Sequence, residues 1–329
     1  MKLCTFEIDG KERVGAAFQD HQILDINLAL AKRLAHQGSA RAYEMANAII
    51  PPSMIDFIKG GPPTLQAARE AIEIFHHERN TNGPKGERIF HPMTEVHIQA
   101  PISRPTKFFA VAINTREKWE KAEKPPHPNP TYFIKLPSCI TGPFDPIEIP
   151  DVGVVGPEVE IAAIIGKKGK NIPLEDASSY IYGFTVHNDI TAHEMRKTTE
   201  WIIVKRKDGS EEKLTYPGRY KNFDTFSPMG PWLVTADEIK DVHNLRMTSR
   251  LNGDLVQAGS SADAVFRLPY LVSYFSAAHT LEPGDIISGG TVLPAPGWTM
   301  FSIDLRRIGG VLETEIESLG TMKNPIEPV

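Results

Sequence analysis

The 329-residue chain has only two cysteines, Cys4 and Cys139, separated by most of its first half. Two such residues make neither a disulfide framework nor a zinc-type ligand spacing, and they fit a reduced, cytoplasmic compartment. Basic excess is also missing: 36 Lys and Arg stand against 41 Asp and Glu, a formal net charge of −5. That balance removes the electrostatic footprint of a nucleic-acid-binding protein, and no lysine-rich amphipathic face suits an anionic membrane. Nor is there any run near the roughly 18 apolar residues that a membrane-spanning helix needs. The first ten residues carry acids early and no apolar h-region, so no secretory leader is expected. No internal repeat is visible.

What is present is a chain that is 41% hydrophobic, 23% charged and rich in proline, with 27 residues of it. Residues 3–8, 12–18 and 23–26 read as strands, the first two joined by Asp9-Gly10-Lys11. Helices are expected at 28–36, 41–50, 53–59 and 65–79, with Ser53 and Thr64 as N-caps and Gly60-Gly61 as a stop. His76, His77 and Glu78 read as a charged helix end. The predicted organisation is α+β: a small α+β N-terminal domain over 1–90, a linker over 91–106, and a mainly β domain over 107–329. Past residue 107 long helices disappear, apart from one starting at Thr191 and one at 268–278. The polar stretch 205–213 reads as an exposed hairpin turning at Asp208-Gly209, suited to surface or partner contact.

The most informative stretch is Gly156-Pro157-Glu158-Val159-Glu160-Ile161-Ala162-Ala163-Ile164-Ile165. At period two, Glu158, Glu160, Ala162 and Ile164 face one way, and Val159, Ile161, Ala163 and Ile165 the other. The second face is wholly apolar and can pack on a core. The first sets two carboxylates side by side, an arrangement that calls for a cation between them. A second strand, Tyr180-Ile181-Tyr182-Gly183-Phe184-Thr185-Val186-His187-Asn188-Asp189, ends on an aspartate, and Thr191-x-x-Glu194 after it has the form of a capping box. Asp189 then stands at a strand-to-helix junction, where a third oxygen ligand can be aimed back at the sheet.

These segments, together with the run 163–173 and Phe223-Asp224-Thr225-Phe226-Ser227-Pro228-Met229-Gly230-Pro231-Trp232, resemble the fumarylacetoacetate hydrolase family from about Lys107 to Thr321. The resemblance implies an irregular mixed β-roll or barrel, a homodimer, and Mg²⁺ or Mn²⁺, with Ca²⁺ as a further option. By match of motif it makes Glu158, Glu160 and Asp189 the metal ligands. It also places Lys221 beside the substrate and assigns Lys135, Ser138, Gln257 and Thr291 to substrate binding. The alternative for Lys135 and Lys221 is that they are structural ion-pair partners in a carboxylate-rich sheet.

The departures from the family pattern are as telling. Where the family carries Asn-Tyr-x-x-His-x-x-Glu in a lid, this chain has Asn114-Thr115-Arg116-Glu117-Lys118-Trp119-Glu120-Lys121. Lysines stand in place of both the histidine and the glutamate, and an exposed lysine is protonated and cannot activate water. After Asp189 the family's Ser-Ala-Arg-Asp-x-Gln is replaced by Thr191-Ala192-His193-Glu194-Met195-Arg196. His193 and Arg196, three apart on a helix, share a face. His193 is ranked first as the proton-transfer group, with Lys118 second, and Lys118 and Arg196 are assigned to the substrate carboxylate. His187 is expected on the Asp189 side of its strand, and His127 lies in the lid-like segment. The expected activity is that of a metal-dependent enzyme acting on a small 2-oxo or 1,3-dicarbonyl acid through a metal-stabilised enolate. Hydrolytic C–C cleavage of the fumarylacetoacetate or acylpyruvate type comes first; the alternatives are a decarboxylase, a tautomerase or isomerase, a hydratase, or a non-catalytic metal-binding homologue.

Overall fold

The structure is a computed structural model, and it describes residues 1–19, 21–75 and 82–329. His76, His77 and Glu78, singled out above, lie outside the described residues. A twelve-stranded sheet forms the backbone of the molecule. Its main path runs Phe90–Pro92, Gln22–Asp25, Lys11–Phe18, Lys2–Ile8, Ser227–Thr235, Ile181–Asn188, Val159–Ile165, Ile286–Ser288, Phe108–Ala112, Thr131–Ile134, with His97–Gln99 pairing Lys2–Ile8 and Ile140–Thr141 pairing Ser227–Thr235 off that path. The N-terminal strands therefore continue the same sheet as the later ones, joined where Lys2 and Leu3 pair with Val234 and Leu233. A five-stranded sheet, in the order Asp254–Ser260, Arg246–Leu251, Gly310–Ile316, Gly320–Pro328, Ile147–Ile149, stands beside it. The architecture is thus a small N-terminal α+β region followed by a mostly β part, as the sequence indicates.

Four helices pack on the N-terminal end: Ile26–His36, Ala42–Ile49, Met54–Lys59 and Gly61–Phe75. Asp25 caps the first, its side chain accepting from the Leu28 amide, and Ser53 caps the third through Asp56. Thr64 does not cap the fourth. That helix starts at Gly61, so Thr64 sits inside it, and its hydroxyl donates to the Ile49 carbonyl. Two prolines in the first turn explain the early start, since their absent N–H groups have no intrahelical partner to lose there.

The apolar face of Val159–Ile165 packs as expected, with Val159, Ile161, Ala163 and Ile165 in a core shared with Phe109, Leu271 and Phe275. The opposite face is buried too: beyond the two glutamates, Ala162 and Ile164 join a second core with Leu3, Ile26, Phe57 and Phe108. The N-terminal region covers this end of the strand. The capping box at Thr191 does not form. Thr191 and Ala192 make a short strand with Val155–Gly156, and the helix begins at His193. The Thr191 hydroxyl turns back to the Asp189 carbonyl, while Glu194 accepts from the Val154 amide. Strand pairing has won over the local cap. The polar hairpin is found as expected, Trp201–Lys205 pairing with Glu211–Thr215 around Gly209, whose φ of +86° suits glycine.

Candidate active site

Three adjacent strands build the floor. Glu160 lies opposite His187 in the sheet, and Ala162 lies opposite Ser288. Glu158, Glu160 and Asp189 come together so that one ligand atom from each lies within 4.8 Å of the others, a group that can hold a metal ion. Glu158 sits just before its strand, where its amide donates to the Asn188 side chain and its carbonyl accepts from the Asp189 amide. Those bonds tie the ends of both strands together and aim their carboxylates at one point. All three are hard oxygen donors, as a divalent cation of the magnesium or manganese kind requires.

Two lysines neutralise the cluster. The Lys135 ammonium, fully buried, donates to Asp189 Oδ1 at 2.7 Å and to the Phe226 carbonyl at 3.0 Å. Lys221 donates to Glu158 Oε2 at 2.6 Å and to Asp189 Oδ2. Burial alone would neutralise these groups. In Asp189 burial is outweighed by Lys135 and Lys221, so its carboxyl stays well below the usual range. Glu158 is held down as well, by Lys221 against burial. For Lys221 burial loses to Asp189 and Glu158, which hold it charged. Glu160 is the exception: burial, and then the charge on Asp189, push its carboxyl up. It is the member of the group with no lysine of its own. A cation among the three would supply the missing charge, so the donor set fits a divalent metal.

The remaining positions named from sequence fall into three groups. His193, at the start of its helix, is buried beside Glu158, and burial, opposed by Glu158, pulls its pKa down to about 4. Its Nε2 is buried without a hydrogen-bond partner, and a Cβ on Gly156 would lie 3.0 Å from it, so the ring packs tightly against that glycine. Lys118, on the Arg116–Glu120 helix, is half-buried and near enough to be felt electrostatically by both Glu158 and His193; Arg196 is felt by His193. Gln257 and Thr291 serve the frame: the Gln257 amide accepts from the Val159 amide and Ser249, and donates to the Thr291 hydroxyl at 3.3 Å. Ser138 and His127 are exposed. Lys121, in the place of the family's glutamate, pairs with Glu117 on the surface.

His187 lies closer to Glu160 than a reading from Asp189 suggests, its Nδ1 3.9 Å from Glu160 Oε2, and burial drives its pKa down to about 3. Sequence reasoning missed Ser288 and Gly290. Both donate to Glu160 Oε2, from the Ser288 hydroxyl at 2.5 Å and the Gly290 amide at 3.1 Å. Gly290 has φ +91°, and a Cβ there would meet Asn114 at 2.9 Å, so the residue must be glycine for its N–H to point at the carboxylate. The only signal was a small-residue run before Thr291.

Residues 107–327 match the family model described as fumarylacetoacetate (FAA) hydrolase C-terminal. The chain belongs to the fumarylacetoacetate hydrolase family. Among curated relatives, oxaloacetate tautomerase YisK of Bacillus subtilis (strain 168) is 31% identical over 333 residues, covering 99% of this chain and 100% of that protein. Mitochondrial oxaloacetate tautomerase Fahd2a of Rattus norvegicus is 34% identical over 283 residues, 84% of this chain and 80% of the relative. Among solved structures, maleylpyruvate hydrolase from Sphingobium sp. SYK-6, in complex with manganese(II) and pyruvate, has a TM-score of 0.66 at 27% identity, covering 100% of this chain and 99% of that one. The fumarylacetoacetate hydrolase of Exiguobacterium antarcticum superposes with a TM-score of 0.71 over the full length of both chains, and at 24% identity it shows the shared fold alone. Family members thus include tautomerases and hydrolases, at least one of them manganese-bound.

Proposed function

We propose that the chain catalyses keto–enol tautomerisation of a small 2-oxo dicarboxylic acid of the oxaloacetate type, with Mg²⁺ or Mn²⁺ held by Glu158, Glu160 and Asp189. The observation that carries this reading is the lid: Lys118 and Lys121 occupy the water-activating positions, and Lys121 is spent on a surface pair with Glu117. Hydrolysis needs an activated water, whereas tautomerisation needs only one proton moved from C3 to the 2-oxo oxygen. When bound, the cation supplies Lewis acidity toward the 2-oxo acid. His193 takes the proton from C3 through Nδ1, since its Nε2 is sealed against Gly156, and its depressed pKa keeps it an acceptor at neutral pH. Lys118 and Arg196 hold the substrate carboxylates as point charge and fork. Lys221 and Lys135 keep Glu158 and Asp189 ionised and in place. The oxaloacetate tautomerase relatives, similar over 84% and 99% of this chain, support the same reading.

The experiment follows the decay of enol oxaloacetate with and without Mn²⁺, in the parent and in Glu160→Gln. Metal-dependent acceleration lost in the variant is expected; a rate equal to the buffer blank in the parent sinks the proposal. C–C hydrolysis of an acylpyruvate is the second reading, favoured by the maleylpyruvate hydrolase neighbour, and pyruvate release from such a substrate would reveal it. We also infer a homodimer in the cytoplasm; light scattering at the monomer mass of 36.5 kDa would reject the dimer. Among the described residues no helix is long and apolar enough to cross a membrane.

A further inference from the structure

We propose that Ser288 and His187 form a relay that holds Glu160 as a one-oxygen ligand and so biases the centre toward a small octahedral cation and against Ca²⁺. The inference rests on the reading of Glu158, Glu160 and Asp189 as a metal centre. The relay crosses three neighbouring strands of the large sheet. His187 and Ser288 are fully buried, and His187 Nδ1 lies 2.7 Å from the Ser288 hydroxyl, which reaches Glu160 Oε2 at 2.5 Å. A serine hydroxyl has one proton to give. Donated to an ionised carboxylate, it leaves the serine oxygen to accept from His187, which must then carry its proton on Nδ1. The other ring nitrogen faces the Ser227 hydroxyl at 3.4 Å, and the edge-on Phe108 ring at 5.1 Å packs against the imidazole. The ring has a partner at each nitrogen and is held in a packed core.

The consequence falls on one atom. Glu160 Oε2 receives both the Ser288 hydroxyl and the Gly290 amide, and among the described residues Oε1 meets no protein donor. The other two carboxylates are restricted as well. Asp189 gives one oxygen to Lys135 and the other to Lys221, and Glu158 gives Oε2 to Lys221. Ca²⁺ takes six to eight oxygens at about 2.3–2.6 Å and commonly uses bidentate carboxylates, whereas Mg²⁺ takes six at about 2.0–2.1 Å. For Glu160 to turn bidentate, Oε2 must leave two donors unpaired in a dry interior, which is costly. Neither residue is visible in the Glu-x-Glu motif: Ser288 is 128 positions from Glu160 in sequence.

The test titrates Mn²⁺ and Ca²⁺ calorimetrically into the chelator-stripped full chain. Removing such a supporting partner costs about 10–100-fold in metal affinity. Ser288→Ala should therefore weaken Mn²⁺ by that factor and Ca²⁺ by much less, narrowing the ratio between them. His187→Phe, which removes the donor but keeps a ring, should act in the same direction, and Ser288→Thr should restore the parent's ratio. Thermal unfolding in chelator reports whether each variant is folded; if Ser288→Ala is not, His187→Phe carries the expectation. A folded variant lacking the relay that keeps the parent's Mn²⁺ to Ca²⁺ ratio overturns the proposal. Glu160→Gln, titrated alongside, separates the two layers. If it loses Mn²⁺ while the relay variants keep the parent's values, only the relay is wrong; if it binds Mn²⁺ like the parent, the metal centre itself is wrong.

Discussion

The floor of the site and its lid are built on opposite terms. In the floor, Glu160, Asp189, Lys135 and His187 are almost wholly buried, and each polar group is met from at least one neighbouring element. In the lid, the Arg116–Glu120 helix has no buried residue, and its pair between Lys121 and Glu117 is 74% and 54% exposed. The lid is tied down at its root, where Asn114 donates to the Gly289 and Phe266 carbonyls and Thr115 to the Thr291 carbonyl. Its surface charges are free to change because exposed pairs contribute little to folding. On the proposed reading the floor would hold a metal by many mutually dependent contacts and the lid would choose what happens beside it, a division that lets one fold carry more than one chemistry.

The largest expected effect breaks the floor. Glu160→Gln should abolish the rise in thermal midpoint on adding Mn²⁺; an undiminished rise would mean that the carboxylates are not the site. Next comes the boundary between floor and lid. His193→Ala should lower kcat about 10²–10⁴-fold, the usual contribution of a proton-transfer group, while Lys118→Met should chiefly raise KM. Steady-state kinetics that lose kcat only in the lysine variant would move the chemistry onto the lid.

A third contrast concerns pH. His187 and His193 titrate in the folded chain near 3 and 4, against 6.5 for the ordinary group. Below 6.5 the unfolded chain binds two histidine protons that the folded one refuses, while Glu160, pushed up to about 8 in the metal-free protein, binds one that the unfolded chain has lost and offsets part of the effect; the net is a loss of stability as pH falls below about 6.5. Thermal unfolding in chelator between pH 6.5 and 5 should show this slope, and His187→Phe should flatten it. The smallest effect lies on the lid surface: Lys121→Ala should change stability by no more than about 0.5 kcal/mol by denaturant unfolding.

Much of the floor was legible because it is written in strand alternation. Glu158 and Glu160 fall on one face by period two, and the apolar residues between them had to meet a core. Asp189 followed from the end of an aromatic, β-branched strand. What stayed hidden depends on pairing across distance. Nothing near Glu160 announces that Ser288 will donate to it, and nothing near Ile164 announces that the N-terminal helices will cover its face. The capping box at Thr191 failed for the same reason: a local motif lost to a strand partner, Val155–Gly156, that lies 35 residues away in the register Gly156 to Thr191. The lysines of the lid were readable as departures from a pattern, and the structure adds that Lys121 is exposed while Lys118 is half-buried.

The measurement that bears most directly on the account is the carbon balance of oxaloacetate turnover in the metal-loaded enzyme, followed by NMR in deuterated water. The account predicts deuterium entering C3 at the rate of enol interconversion while the four-carbon skeleton stays intact beyond the enzyme-free control. Pyruvate appearing in step with turnover would contradict it, because the bond to the C4 carboxylate would then be breaking by decarboxylation, the other reaction that a metal-stabilised enolate allows without an activated water.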